Sequence, residues 1–198
     1  MALTKLNNKS VANVSTLPVA LGDMILVSSA TASASATIDF TLGDYKEYQF
    51  YFVNIHPAND EVPLKFQTST NNGSSYGVTL TSTVFEAYHS EDDSLTFLGY
   101  QAGLDLAQST AYQDLTSSLG NNNDDSASGN LILFNPSSTT YVKHFIANIH
   151  GGYRAGYPIA INRFTAGYFN TTSALTNIRF QMGSGNIDAG TILMYGIN

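Results

Sequence analysis

Residues 48–76 read YQFYFVNIHPANDEVPLKFQTSTNNGSSY, and this stretch decides the fold class. Aromatic and β-branched residues fill its first part, which is typical of a β-strand. Pro57 and Pro63 bracket a corner, because proline donates no hydrogen bond to a sheet. A second strand follows, and Asn72-Gly73 suits the positive φ angles of a tight hairpin turn. The stretch therefore predicts a strand, a corner, a second strand and a turn.

The first of these strands covers residues 47–55 and alternates between two faces. One face carries Tyr48, Phe50, Phe52 and Asn54, and the other carries Gln49, Tyr51, Val53 and Ile55. Because large apolar side chains occur on both faces, we expect a central strand that is buried between two layers. The strand also has an echo, since KHFIANIH (residues 143–150) ends in the same Asn-Ile-His as QFYFVNIH (residues 49–56). This echo suggests that two long strands occupy related positions in the sheet.

The rest of the chain from residue 21 onward keeps a period of two, with one exception. In residues 103–119 the spacing of Leu104, Ala107, Ala111 and Leu115 predicts one short helix. The sequence predicts about nine to eleven short strands, which fit two packed sheets. We therefore expect an all-β fold, a single jelly-roll-like β-sandwich over residues 21–198 with one short helix and an N-terminal arm.

The arm covers residues 1–20 and carries two lysines and no acid. It is either a first strand on the domain or an extended tether that orders on a partner. In the second case it is a docking segment, and its candidate docking residues are Leu3, Lys5, Leu6, Val11, Val14 and Leu17.

Charge and composition exclude several classes of partner. The net charge is −7, and residues 66–142 hold eight acids but no lysine or arginine. Nucleic-acid binding is not expected, because phosphate contacts need clustered basic side chains. No run approaches 18 apolar residues and the start has no apolar signal region, so neither a membrane span nor secretion by the usual signal route is expected. Cysteine is absent, which excludes disulfides and thiolate metal sites.

The sequence shows no catalytic, metal or cofactor motif. His56 and His150 end the echoed strands and are expected to hydrogen-bond the corners that follow, since no histidine pair has metal-ligand spacing. The acidic runs 91–93 and 124–125 are predicted to be solvated turns, with calcium binding as the alternative. Tyr153, Arg154 and Tyr157 form a possible contact loop, because tyrosine and arginine are common interface anchors. Tyrosines that cap the sheet edges are the alternative.

Several blocks of the chain resemble small virion proteins of tailed phages, especially marine ones: YKEYQFYFVNIHPAND, FQTSTNNGSSYGVT, LFNPSSTTYVKHFIANI and FQMGSGNIDAGTILMYGI. The start MALTKLNN also resembles the starts of phage tail-fibre and decoration proteins. The resemblance implies a β-rich, non-enzymatic structural protein of the virion, assembled in the bacterial cytoplasm. It further implies a homo-oligomer, with a trimer favoured, whose partners are other virion proteins.

Three roles on the particle follow as hypotheses. The first is a tail-fibre or tail-tip component, in which the arm docks on the particle and the sandwich meets a glycan or protein of the host surface. The second is a capsid decoration or cement protein that stabilises the shell, with the base-rich residues 143–198 facing it. The third is a polysaccharide-degrading spike, which no carboxylate pair in the sequence supports.

Overall fold

The computed structural model describes residues 24–152 and 158–198, and these form two packed antiparallel sheets. Within the described residues every regular element is a strand. In chain order the strands are β1 (Ile25–Thr31), β2 (Ile38–Thr41), β3 (Glu47–Pro57), β4 (Leu64–Ser69), β5 (Leu80–Ser90), β6 (Thr96–Tyr100), β7 (Gln113–Asp114), β8 (Ala127–Phe134), β9 (Lys143–Gly151), β10 (Ile159–Phe169), β11 (Asn177–Met182) and β12 (Ile187–Ile197).

The two sheets differ in size. The larger has eight strands in the order β1-β12-β3-β8-β9-β10-β5-β6, and the smaller has four in the order β2-β11-β4-β7. The all-β sandwich predicted from the sequence is confirmed. The jelly-roll order of strands is not confirmed. A jelly roll divides eight strands between two sheets, whereas here the large sheet alone has eight strands and the small sheet has four. We call the face of the large sheet that packs on the small sheet its inner face, and the opposite one its outer face.

The predicted helix in residues 103–119 is wrong. The segment runs irregularly across the sandwich and contributes only the two-residue strand β7. Its backbone groups bond to neighbouring strands instead of to each other: Ser109 exchanges two hydrogen bonds with Leu80, and the Leu115 amide donates to the Leu64 carbonyl at 2.8 Å. These tertiary hydrogen bonds replace the helical ones. The leucine and alanine spacing therefore reflects no helical face, and Ala107 and Ala111 are exposed.

Strand β3 is central in the large sheet, as predicted, but it is buried on one face only. Tyr48, Phe50 and Phe52 point inward and are almost fully buried, whereas Tyr51 is half-buried and Val53 is exposed on the outer face. The residue after Val53, Asn54, has a positive φ of 51° where the register with β8 shifts. This irregularity turns Ile55 inward and Asn54 outward, so the predicted assignment of these two to faces is reversed.

The predicted hairpin at Asn72-Gly73 is a crossing between sheets. The turn has the expected positive φ angles of 58° and 76°. However, it connects β4 of the small sheet with β5 of the large one, and the turn after β11 likewise leads to β12 in the other sheet. Each crossing lets consecutive strands add to both layers. Strand β12 lies between β1 and β3, and its inward side chains belong to the core.

An aromatic cluster joins the two sheets. Phe180 of β11 lies against Phe50 and Phe52 of the large sheet, with ring centroids 5.4 and 5.2 Å apart. It also contacts Phe40 and Phe66 of its own sheet at 6.2 and 6.4 Å. Burial of each such side chain contributes about 1.5–3 kcal/mol. This cluster supplies much of the apolar core in a chain that has no tryptophan.

A buried ion pair lies on the inner face where residues 101–119 cover β5 and β10. The Arg163 guanidinium donates to one Glu86 carboxylate oxygen from Nε at 3.1 Å and from Nη2 at 2.8 Å. Gln101 donates to the other Glu86 oxygen, and Arg163 also donates to the Thr116 carbonyl. Every strong donor and acceptor here is used within the fold, so the pair serves to hold the covering segment on the sheet.

Candidate interaction surface

The outer face of the large sheet is uncovered in the described residues. The small sheet and residues 101–119 both pack on the inner face, and no strand in the described ranges lies over the outer one. Large apolar side chains are consequently exposed there, among them Val53, Phe85 and Ile146. Exposed apolar patches rimmed by polar groups mark interaction sites. The sequence carried this signal, because several strands have apolar residues on both faces.

Aromatic rings are paired across strands at one side of the outer face. Phe85 of β5 stacks on Phe164 of β10, with centroids 4.8 Å apart and planes 10° apart. Tyr88 and Phe97 form a second stacked pair with centroids 5.0 Å apart, but this pair lies on the side of the inner face, because Tyr88 shares its face of β5 with Glu86. On the outer face, the Phe85 and Phe164 rings each cover one face of the other. Their exposed parts form an apolar surface that fits protein side chains.

A shallow apolar depression of about 480 Å³ lies beside the Phe85–Phe164 pair on the outer face. Its lining includes Phe134, His144, Ile146 and Tyr168. The depression is mainly apolar, with the His144 ring 6.2 Å from that of Tyr168. Such a depression fits a single apolar anchor side chain of a partner, which is how many protein interfaces gain most of their affinity.

The two histidines of the Asn-Ile-His echo lie at the same end of the large sheet. Strands β3 and β9 both flank β8, so His56 and His150 stand on either side of the loop that leads into β8. His56 Nε2 lies 3.0 Å from the Asn122 carbonyl oxygen, which belongs to the loop before β8 and not to the corner that follows β3, where the bond was predicted. His150 lines a polar cavity of about 570 Å³ together with acidic residues, namely Glu91, Asp124 and Asp125. The echo thus gives two parallel strands with matching ends.

Metal ligands do not converge in the parts of the chain that the structure describes. Over residues 24–152 and 158–198 no group of three histidine or acidic side chains could hold an ion. In the run 91–93, the Asp92 carboxylate instead accepts hydrogen bonds from Ser94 Oγ at 2.6 Å and Ser90 Oγ at 2.7 Å. These bonds close the turn between β5 and β6, as predicted for a solvated turn.

The hydrogen bonds to Asp92 have a measurable consequence. The Ser94 hydroxyl, followed by the Ser90 hydroxyl, lowers the pKa of Asp92 from 3.8 to about 2. Because the folded pKa is depressed, the turn's contribution to stability is present above pH 3.8 and is lost as the pH falls toward 2. We expect an NMR titration to give Asp92 a pKa about 2, and Ser94→Ala to raise it toward 3.8. An unchanged Asp92 pKa in that variant would contradict the assignment.

The described basic residues of the final third, Lys143, Arg163 and Arg179, do not form a positive surface. Lys143 is fully buried, its Nζ donates to the Tyr141 and Thr171 carbonyls, and burial lowers its pKa. Arg163 is buried against Glu86, and Arg179 makes two hydrogen bonds to Asp39. Electrostatic docking of this third on a shell therefore finds no support in these three residues.

The site residues predicted from the sequence lie outside the described residues. This applies to the docking residues Leu3, Lys5, Leu6, Val11, Val14 and Leu17 and to the contact-loop residues Tyr153, Arg154 and Tyr157. Of the described residues that border these segments, Met24 precedes the edge strand β1, and Gly152 and Pro158 line the polar cavity beside His150.

Comparison with models of known protein families gives no match, and comparison with curated proteins gives none. No helix in the described residues is long and apolar enough to cross a membrane.

Proposed function

We propose that the protein is a non-enzymatic structural protein of a phage virion, a tail-fibre or tail-tip component. The resemblance of four sequence blocks to phage virion proteins supports the virion assignment. The observation that carries the binding role is the uncovered outer face, with its stacked pair of Phe85 and Phe164 and the depression around Ile146. A protein that exposes such a surface while its charged residues are buried, paired or solvated is suited to contacts with other proteins.

The architecture suggests how the two tasks divide. The arm, residues 1–20, docks on the particle and enters the domain at β1, one edge of the large sheet. The outer face then meets a protein of the host surface, because stacked rings and an apolar depression fit side chains better than sugars. The particle is assembled in the host cytoplasm, where a fold without cysteines needs no oxidation.

Adsorption tests this function. Purified wild-type protein is expected to compete with virions for host cells, and Ile146→Lys is expected to weaken that competition at least tenfold. The lysine places a charge in the apolar depression, whereas the fold is preserved because Ile146 is exposed. Tyr141→Lys is the matched control, since Tyr141 is exposed outside the strands and should compete like the wild type. Equal competition by both variants would contradict the role of the outer face.

A capsid decoration protein is the second candidate. The breadth of the outer face, which spans eight strands, favours it, because a broad apolar face also fits a regular shell. In that case purified protein leaves adsorption unchanged, and virions carry it in hundreds of copies. Cryo-electron microscopy of intact particles counts those copies and separates the two functions.

A further inference from the structure

Within the described residues, no strand pairs with the outer edge of either outermost strand of the large sheet, and both strands are uncharged. Strand β1 reads ILVSSAT and strand β6 reads TFLGY, and neither contains a charged residue or a proline. Soluble proteins usually protect a sheet edge with lysine, proline or a covering loop, because a bare edge offers unpaired backbone groups to another strand. Both edge strands lack lysine and proline.

Apolar side chains are exposed on both edges. Leu26 of β1 is 52% exposed, and Leu98 of β6 is 75% exposed. The small sheet is different: its edge strand β2 carries Asp39, which is paired with Arg179, and its other edge strand β7 has only two residues. Pairing with another strand is thus favoured only at the edges of the large sheet.

Strand directions determine how these edges fit together. All neighbours in the eight-stranded sheet are antiparallel, and eight is an even number, so β1 and β6 run in opposite directions. If copies repeat around an axis that runs along the strands, β6 of one copy meets β1 of the next in antiparallel orientation. Antiparallel ladders are the more stable kind. Copies repeated in this way therefore extend the sheet with the same antiparallel pairing.

Charge near the two edges favours the same arrangement. The β6 edge is flanked by acids, namely Glu91, Asp92, Asp93 and Asp105. Strand β1 itself carries no charged side chain. Pairing of β6 with β6 would bring the acids together, whereas pairing of β6 with β1 brings the acids beside an uncharged strand.

We propose that copies of this chain associate head to tail, with β6 of one copy adding antiparallel to β1 of the next. Head-to-tail contacts of this kind close into rings when the rotation between copies permits. The inference goes beyond the proposed function and does not depend on it, because the contact uses the sheet edges and leaves the outer face free.

Two edge variants test the proposal. Leu26→Lys charges the β1 edge, and Leu98→Lys charges the β6 edge. Each variant alone is expected to be monomeric by light scattering coupled to size exclusion, whereas the wild type forms a larger oligomer. An equimolar mixture is expected to form a 1:1 heterodimer, because each variant keeps the edge that the other needs. Within one copy the two positions are about 34 Å apart, at seven strand spacings, so they do not interact directly.

Controls keep the outcome interpretable. Both leucines are more than half exposed, so the variants should melt at the wild-type temperature. Ile146→Lys, in the middle of the outer face, is expected to assemble like the wild type while failing in the adsorption assay. Pairing of β1 with β1 is indicated instead if Leu98→Lys assembles normally. The head-to-tail contact is overturned by that result, by a wild type that is monomeric, or by a mixture of the two variants that stays monomeric.

Discussion

Replacing Glu86 with alanine is expected to lower the free energy of unfolding by about 3–5 kcal/mol. The Glu86 and Arg163 side chains are only 5% and 3% exposed, and Arg163 donates to Glu86 from two nitrogens. Without the carboxylate, the guanidinium stays buried next to Thr116 and has no opposite charge. Urea unfolding followed by circular dichroism measures the change.

Asp39→Ala is the matched control for this prediction. Asp39 also accepts two hydrogen bonds from an arginine, Arg179, but these side chains are 36% and 27% exposed. In Asp39→Ala, water replaces much of the hydrogen bonding that the carboxylate gives to Arg179. The expected loss of unfolding free energy is therefore only about 0–1 kcal/mol. Replacing both Glu86 and Arg163 with methionine should recover most of the stability lost in Glu86→Ala. Similar losses for Glu86→Ala and Asp39→Ala would contradict the importance of burial.

Phe180→Ala is expected to cost about 3–5 kcal/mol of unfolding free energy. Its ring packs on Phe50 and Phe52 across the sandwich and on Phe40 and Phe66 within its own sheet. Removal leaves a cavity between two hydrogen-bonded sheets, which cannot easily move together to fill it. The same urea titration measures the loss.

Leu98→Ala serves as the control for Phe180→Ala, because it removes an apolar side chain that is mostly exposed. Its effect on unfolding is expected to stay within about 0.5 kcal/mol. A loss below about 1 kcal/mol for Phe180→Ala would mean that the aromatic cluster is not the main contact between the sheets.

The fold class was predictable because its signals are local. Alternation of apolar and polar residues predicted most of the strands, and Asn72-Gly73 predicted a turn with positive φ angles that the structure confirms. The helix prediction failed because the backbone of residues 103–119 forms its hydrogen bonds with distant strands. The spacing of leucine and alanine along the chain carries no information about such distant partners.

The candidate surface was predictable only in part. Aromatic residues on both faces of β3 were visible in the sequence, but they indicated burial between two layers. Among residues 24–152 and 158–198, the structure places one layer against the large sheet, and the same pattern there produces an exposed apolar face. The predicted arm and contact loop remain predictions, since both lie outside the described residues.

By itself, the sequence determined that this chain forms β-strands and turns, because those depend on residue type and on a period of two along the chain. Tertiary structure alone decided which strands share a sheet and that Arg163 meets Glu86, which is 77 residues away. It also decided that the Asn-Ile-His echo flanks one strand, β8. The physical reason is that register, sheet order and burial depend on contacts between residues far apart in sequence, and local patterns carry no information about those contacts.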